Sequence, residues 1–292
     1  MIKEATSVVQ AMAPARRAGM PIPGPVALAL GAALIAWAGS AEAGRSCEDR
    51  PLTADVMAKG LNLAARTAKA LDAEFQKNGT QVVLLARQGQ DLSKYDLKYS
   101  HYGWAYRTPA GPWRVAHKLN ECGTASGHIY RQGLGEFFLD DMWRYEAAIQ
   151  IPTPAVQQAL LKFLSAPTVL RLQNEPYSMV SYVWSSKYQQ SNQWATETLA
   201  AAMEPAAIQN RAQAQAWLQS KGYEPSALII RAFSRLGGRM TAANIAFDDH
   251  PDALRYSNRI RTVSVDSIIH FVEGRGEGWR IEEITGTQPR RY

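Results

Sequence analysis

The sequence has little of three features that would fix its class at once: cysteine, strong net charge and long apolar runs. Its net charge is +6, from 32 Lys and Arg against 26 Asp and Glu. The basic residues are scattered, so no nucleic-acid-binding surface is predicted. A charged fraction of 20% and a hydrophobic fraction of 46% are ordinary for globular proteins and argue against disorder, collagen and coiled coil. An enzyme with a core of ordinary size is compatible with these values.

The longest apolar stretch, residues 25–38, is too short to cross a bilayer comfortably, because a spanning helix needs about 20 residues. Arg16 and Arg17 precede it, and small residues at positions 41 and 43 follow it. This order predicts a signal peptide over residues 1–43 that is cleaved on export, with a signal anchor as the alternative. We therefore expect a periplasmic or secreted protein without a transmembrane anchor after cleavage.

The two cysteines, Cys47 and Cys122, both lie beyond the predicted cleavage site. Because an exported protein folds in an oxidising compartment, the sequence predicts a disulfide between them. On the chain-entropy model such a bridge stabilises by up to about 4.5 kcal/mol. The alternative is that Cys122 stays a free thiol and acts as a nucleophile.

Residues 44–292 show no internal repeat, linker or change of composition, which favours a single α+β domain. Apolar spacing and capping residues predict helices, and short apolar or alternating runs predict strands. The predicted helices cover 53–78, 129–139, 154–164, 192–203 and 212–220, with a short one from Pro251. The predicted strands cover 82–86, 99–107, 113–118, 145–151 and 177–184, and 262–272 is compatible with either state.

Two histidines are predicted to meet on one hairpin. Strands 99–107 and 113–118 are joined by a Pro- and Gly-containing turn. If Arg107 pairs with Trp113, Gly103 lies opposite His117, and His101 becomes its diagonal neighbour on the same face, about 7–8 Å away at the backbone. His101 could then act as a general base, and His117 could accept its other N–H and fix its tautomer. The alternative is two unrelated polar residues on a half-exposed sheet.

These histidine segments resemble those of a known enzyme group. Ser100-His101-Tyr102-Gly103 and Val115-Ala116-His117 are similar to the paired-histidine segment of lecithin:retinol acyltransferase and its relatives, the permuted branch of the NlpC-type, papain-like fold. In that branch a helix that begins with Asn-Cys-x-x-Phe carries the nucleophile, and Gln190-Ser191-Asn192-Gln193-Trp194 is the similar segment here. The resemblance implies a papain-like antiparallel sheet packed against helices, with Ser191 in the position of the family's cysteine.

A second resemblance covers nearly the whole chain beyond residue 43. The sequence is similar to the exported bacterial domain-of-unknown-function family 2145, which brings no activity with it. The segments that carry this similarity are Gly44-Arg45-Ser46-Cys47, Tyr99-Ser100-His101, His117-Lys118-Leu119-Asn120, Gln132-Gly133-Leu134-Gly135-Glu136-Phe137-Phe138, Gln189-Gln190-Ser191-Asn192-Gln193-Trp194 and Phe247-Asp248-Asp249-His250-Pro251.

Together these observations predict that Ser191, His101 and His117 form a catalytic site for acyl transfer. The protein would be an amidase, esterase or acyltransferase that needs no cofactor. Serine lacks the thiolate fraction of cysteine and depends on proton removal by the base, although the free N–H groups of a helix N-terminus could stabilise an oxyanion. Expected substrates are envelope peptides, peptidoglycan or lipids. The alternative is an inactive relative that binds such a molecule, with Ser191 as a plain helix cap.

The acidic segment Asp248-Asp249-His250-Pro251-Asp252 offers oxygen and imidazole ligands for a divalent metal. Pro at a first helical position and acidic residues around it are also typical of a turn that leads into a helix. We expect the turn, and no metal site is predicted.

Overall fold

The computed structural model describes residues 52–285, apart from positions 141, 166, 232–234, 236 and 239–242. The helices are α1 (Ala54–Asn78), α2 (Leu134–Leu139), α3 (Pro154–Ser165), α4 (Ser191–Met203), α5 (Arg211–Ser220), α6 (Asp252–Arg255) and α7 (Val265–Gly274). The strands are β1 (Val82–Gln88), β2 (His101–Arg107), β3 (Trp113–Asn120), β4 (Gly127–Gly133), β5 (Arg144–Ile151), β6 (Ser226–Ile229), β7 (Arg259–Thr262) and β8 (Arg280–Ile284).

Helix α1 begins and ends where the capping residues predict. The Thr53 hydroxyl accepts a hydrogen bond from the backbone N–H of Val56, which satisfies a free donor of the first turn. At the other end Gly79 adopts a left-handed φ of 70°, and its N–H donates to the carbonyl of Phe75. Glycine reaches this conformation without the strain that a Cβ atom would cause, so the helix ends there.

Six strands form one antiparallel sheet in the order β4-β3-β2-β1-β5-β8. Strands β6 and β7 form a separate antiparallel pair. Helices cover both faces of the large sheet, because each face is lined by apolar side chains that must be removed from water. The expectation of an α+β fold with an antiparallel sheet packed against helices is confirmed.

The two faces have different cores. On one face, α3, α4, α5 and α7 pack around a cluster that includes the fully buried Trp104 and Trp194. On the other face, α1 and α2 pack around a cluster that includes Phe137. Side chains alternate along a strand, so Trp104 of β2 faces α4 while His101 and Ala105 of the same strand face α1 and α2.

Two predicted elements are wrong. Residues 129–139, predicted as a helix, are a strand up to Gly133 and a helix only from Leu134, because pairing of β4 with β3 outweighs local helical spacing. Residues 177–184, predicted as a strand, form an irregular segment. Its backbone N–H groups donate to scattered carbonyls, for example Met179 to Asn244 and Val183 to Arg261, rather than to one neighbouring strand.

Within the described part of the chain, no helix combines the length and apolar character needed to cross a bilayer. The predicted signal peptide (1–43) and Cys47 lie outside the described residues. Cys122 is exposed in the turn between β3 and β4. The bridge from Cys47 to Cys122 and the single domain over 44–292 therefore remain predictions.

Candidate active site

The hairpin of β2 and β3 has the predicted register and brings the two histidines into contact. Arg107 pairs with Trp113, and the pairing continues to Trp104 and Ala116. Beyond that point Nε2 of His101 lies 2.8 Å from Nδ1 of His117. The predicted meeting of the two rings is confirmed, because the register places both on the face that packs against α2.

Gly103 makes room for this contact. A Cβ atom at Gly103 would lie 2.7 Å from Cβ of His117 and 2.8 Å from the carbonyl oxygen of Ala116, closer than real Cβ atoms approach. Only a residue without a side chain fits between the two strands here. The His101 ring can therefore reach across the hairpin to His117.

A third residue, Gln132 on β4, extends the contact into a chain. Nε2 of His117 lies 2.8 Å from Oε1 of Gln132, and because an amide oxygen only accepts, we assign the ring proton to this nitrogen. Nδ1 of a neutral His117 is then the acceptor for the N–H of His101. Among the described residues, no group is hydrogen-bonded to the remaining ring nitrogen of His101, Nδ1, so it keeps the lone pair that a general base requires.

The environment keeps both imidazoles uncharged. Phe137 packs against both rings, with ring centroids 5.9 Å from His101 and 5.2 Å from His117. Burial lowers the pKa of His101 well below its usual value, and the nearby Arg87 guanidinium lowers it further. The same two causes lower the pKa of His117 to about 3. The buried Arg87 forms an ion pair with Asp140, and its guanidinium lies over the Phe137 ring.

The first turn of α4 is attached to β2 directly beside His101. The side-chain oxygen of Asn192 accepts a hydrogen bond from the Tyr102 N–H at 3.2 Å, and its NH₂ group donates to the Ser100 carbonyl at 3.2 Å. These two backbone groups flank His101 along the chain. Because β2 and β3 have stopped pairing at this point, a helix side chain completes the hydrogen bonding of the strand.

Ser191, the predicted nucleophile, is the first residue of α4 and is 5% exposed. Its hydroxyl lies 3.2 Å from the Tyr177 hydroxyl. Among the described residues, neither histidine ring is hydrogen-bonded to Ser191. The structure thus brings His101 and His117 into contact and attaches the helix that carries Ser191 beside His101. The Ser191 hydroxyl itself pairs with Tyr177.

Sequence reasoning missed Tyr177, which lies in the segment predicted as a strand. Burial raises the pKa of its phenol, and hydrogen bonds with Ser191 offset part of that increase. The phenol therefore stays protonated and can donate a hydrogen bond at the N-terminus of α4. No local pattern around Tyr177 indicates this role, since it depends on a contact between separate segments.

A buried charged network supports the segment that leads into α4. The Lys118 ammonium donates to the carbonyl of Asn174 and to the side-chain oxygen of Gln189, the latter at 3.0 Å. Gln189 donates in turn to Glu197 at 2.6 Å, and Glu197 is paired with Arg211 at 2.8 Å. Burial lowers the pKa of Lys118 to about 7. This network holds Gln189, and with it the approach to Ser191, against the body of α4.

The acidic segment near residue 250 forms a turn. The carboxylate of Asp249 accepts from the Tyr182 N–H at 2.8 Å and from Nδ1 of His250 at 2.9 Å, so it ties two loops together. Asp248 forms an ion pair with Lys187 at 2.6 Å. In the part of the chain that the structure describes, no three His, Cys, Asp or Glu side chains converge as metal ligands would.

Comparison with known proteins gives one result. The model of the family described as "Uncharacterized protein conserved in bacteria (DUF2145)" matches residues 74–272, a range that holds the histidine pair, Gln132, Tyr177 and Ser191. No curated protein and no solved structure matches the chain. Because the matched range covers more than half of the sequence, the chain belongs to this uncharacterised bacterial family.

Proposed function

We propose that this protein is a serine-dependent amidase, esterase or acyltransferase of papain-like character, with Ser191 as nucleophile, His101 as general base and His117 as the residue that orients it. The observation that carries the proposal is the hydrogen-bond chain from His101 through His117 to Gln132, which leaves Nδ1 of His101 with a lone pair. The Asn192 side chain binds the backbone on both sides of this histidine, and Asn192 directly follows Ser191 in the chain.

In the proposed reaction, the Ser191 hydroxyl rotates away from Tyr177 and gives its proton to Nδ1 of His101 as Oγ attacks an amide or ester carbonyl. The resulting oxyanion is stabilised by backbone N–H groups of the first turn of α4 and by the Tyr177 hydroxyl. The bond to the leaving group breaks as His101 returns the proton to it. Water or an acceptor hydroxyl then attacks the acyl-serine by the same steps in reverse.

The substrate would be an acylated envelope molecule, such as a peptide, peptidoglycan or lipid, since export is predicted for the chain. No step needs a cofactor. The His101 ring lies on the α2 side of the sheet and α4 lies on the other, so Ser191 and His101 would meet where β2 and β3 separate. Catalytic hydrogen bonds are often long or unformed before substrate binds, which is compatible with this arrangement.

A second function is a binding module for the same class of envelope molecule. It is favoured by the hydrogen bond of the Ser191 hydroxyl to Tyr177 rather than to an imidazole. The expectation that Ser191 is a plain helix cap is wrong, because Gln190 is the N-cap of α4 and Ser191 is its first helical residue.

Labelling with a fluorophosphonate probe separates the two functions. An active protein forms an adduct on Ser191 that peptide mass spectrometry locates. The adduct should be lost in Ser191→Ala and in His101→Gln and retained in Ser93→Ala, which removes an exposed serine from a short turn. Absence of labelling in the folded wild-type protein would reject the enzyme and favour the binding module.

A further inference from the structure

Three arginines beside the small β6–β7 pair, two of them exposed and one half-buried, are not used by the proposed active site. We define the arginine patch as Arg231, Arg255 and Arg259. In the antiparallel register Arg259 lies opposite Ile229, and cross-strand partners point to the same face. Arg231 lies two residues beyond Ile229, and the N–H of Ile230 donates to the Asn258 carbonyl, so the pairing continues towards it.

Arg235 connects Arg255 to the strand segment that leads to Arg231. Its Nε donates to the Ile230 carbonyl at 3.0 Å, and its Nη1 donates to the Arg255 carbonyl at 2.9 Å. Arg235 itself is buried against Phe247, so it is a fixed connector rather than part of the exposed surface. The backbones on either side of the arginine patch are therefore fixed with respect to each other.

The patch keeps a surplus of positive charge. Among the described residues, none of its three arginines forms an ion pair with a carboxylate, whereas the neighbouring Arg261 is paired with Glu224 at 3.1 Å. The nearest acidic residue along the chain is the exposed Asp252, in the first turn of α6. Arg255 instead lies 5.7 Å from the centre of the Tyr256 ring.

Two large apolar side chains project beside these charges. Tyr256 is 80% exposed and Ile229 is 63% exposed. A soluble anion or anionic polymer would be bound by arginines alone and gives no reason for an exposed isoleucine at the same place. Arginines that bind phosphate groups, next to an aliphatic and a phenolic side chain, suit the headgroup region of a lipid bilayer.

We propose that the arginine patch, together with Ile229 and Tyr256, binds the surface of an anionic phospholipid membrane. The arginines contact lipid phosphates, and the Ile229 and Tyr256 side chains enter the boundary between headgroups and acyl chains. The contact is peripheral and salt-dependent, since each arginine near an anionic surface strengthens binding several-fold and the attraction is screened by salt.

Cosedimentation of the full chain with vesicles tests this. Vesicles of phosphatidylcholine with phosphatidylglycerol are compared with vesicles of phosphatidylcholine alone. We expect partition onto the anionic vesicles to fall about 30-fold in the double variant Arg255→Gln/Arg259→Gln. The matched control, Lys69→Gln/Lys77→Gln on the exposed side of α1, removes the same charge and should have little effect. Every variant carries the same apolar stretch, residues 25–38, so any vesicle binding by that stretch is the same in all of them. Differences in partition between variants therefore report on the substituted surface.

A second pair of variants tests the apolar contribution. Ile229→Ser should weaken partition about tenfold, while Leu170→Ser, at a side chain that is 52% exposed elsewhere, should not. Four results would overturn the proposal: equal binding to uncharged vesicles, no vesicle binding at all, equal losses in the arginine variant and its lysine control, or no effect of Ile229→Ser. The last result, with dextran sulfate displacing the protein, would assign the patch to an anionic polymer instead.

Discussion

Asn192 takes the place of a neighbouring strand for Tyr102. Its side-chain oxygen accepts the Tyr102 N–H at 3.2 Å where β3 no longer does. The same amide donates to Ser100, so one helix side chain satisfies two backbone groups of β2. This residue therefore helps to fix the position of His101 relative to α4, together with the hydrogen bonds of the Tyr102 hydroxyl and the Trp104 N–H to the same helix.

Replacing Asn192 with alanine should therefore cost about 2–4 kcal/mol of unfolding free energy, because a buried N–H and a carbonyl lose their partners. Urea denaturation measures the loss. The control is Asn120→Ala, which also removes two hydrogen bonds, to Glu121 and Thr124, but at the partly exposed end of β3 where water can replace them. Its cost should stay below about 1 kcal/mol. Equal costs would mean that the Asn192 contacts are unimportant.

The histidine pair should make the protein sensitive to acid. Burial lowers the pKa of His117 to about 3 from an ordinary value of 6.5, so between these values the unfolded chain binds a proton that the folded chain does not. Stability should be fully present above pH 6.5 and should fall as the pH drops towards 3, by on the order of 4 kcal/mol.

Urea titrations at a series of pH values measure this slope. The change of unfolding free energy with pH should be smaller in His117→Gln, which removes the titrating ring. It should be unchanged in His270→Gln, whose side chain is exposed on α7. Nitrogen NMR should show both rings of the pair neutral at pH 6. A ring in the pair that titrates near 6.5 would contradict the arrangement.

Lys118 predicts a second pH dependence, in the alkaline range. Burial lowers its pKa from 10.5 to about 7, so the unfolded chain binds the extra proton between these values. Stability should accordingly rise as the pH increases from 7 to 10.5. The rise should disappear in Lys118→Met and persist in Lys162→Met, an exposed residue of α3. Chemical denaturation at pH 7 and pH 10 is sufficient to see it.

Gly103→Ala should destabilise the protein by about 1–3 kcal/mol, since the new methyl group would overlap His117 and the backbone of Ala116. Gly274→Ala is the matched substitution, because a Cβ atom there meets nothing within 4 Å at the end of α7. It should be neutral or stabilise slightly. Thermal melts of the two variants, side by side, provide the measurement.

The sequence predicts the histidine contact because a hairpin is a local structure. Its turn residues set the register, and the register alone places His101 diagonal to His117. Helices α1, α3, α4 and α5 are predicted to within a residue or two for a similar reason, since their capping and apolar spacing are local.

Gln132, Tyr177 and the bridging role of Asn192 could not be predicted in this way. Gln132 lies in a stretch whose local spacing is helical but whose partner strand makes it extended. Tyr177 lies in an irregular segment, and Asn192 lies at the start of a helix, but both act through contacts with residues distant in sequence. Such contacts follow from the packing of complete layers and leave no periodic signal.

The separation of β2 and β3 near His101 also has a consequence for the order of assembly during synthesis. The hairpin emerges from the ribosome well before α4, so the Tyr102 N–H and the Ser100 carbonyl must remain bound to water until Asn192 arrives. A nascent chain that stops short of α4 can bring its two imidazoles together but lacks the side chain that completes the hydrogen bonding of β2 beside them. The attachment of α4 to the hairpin is therefore made only after residue 192 has been synthesised.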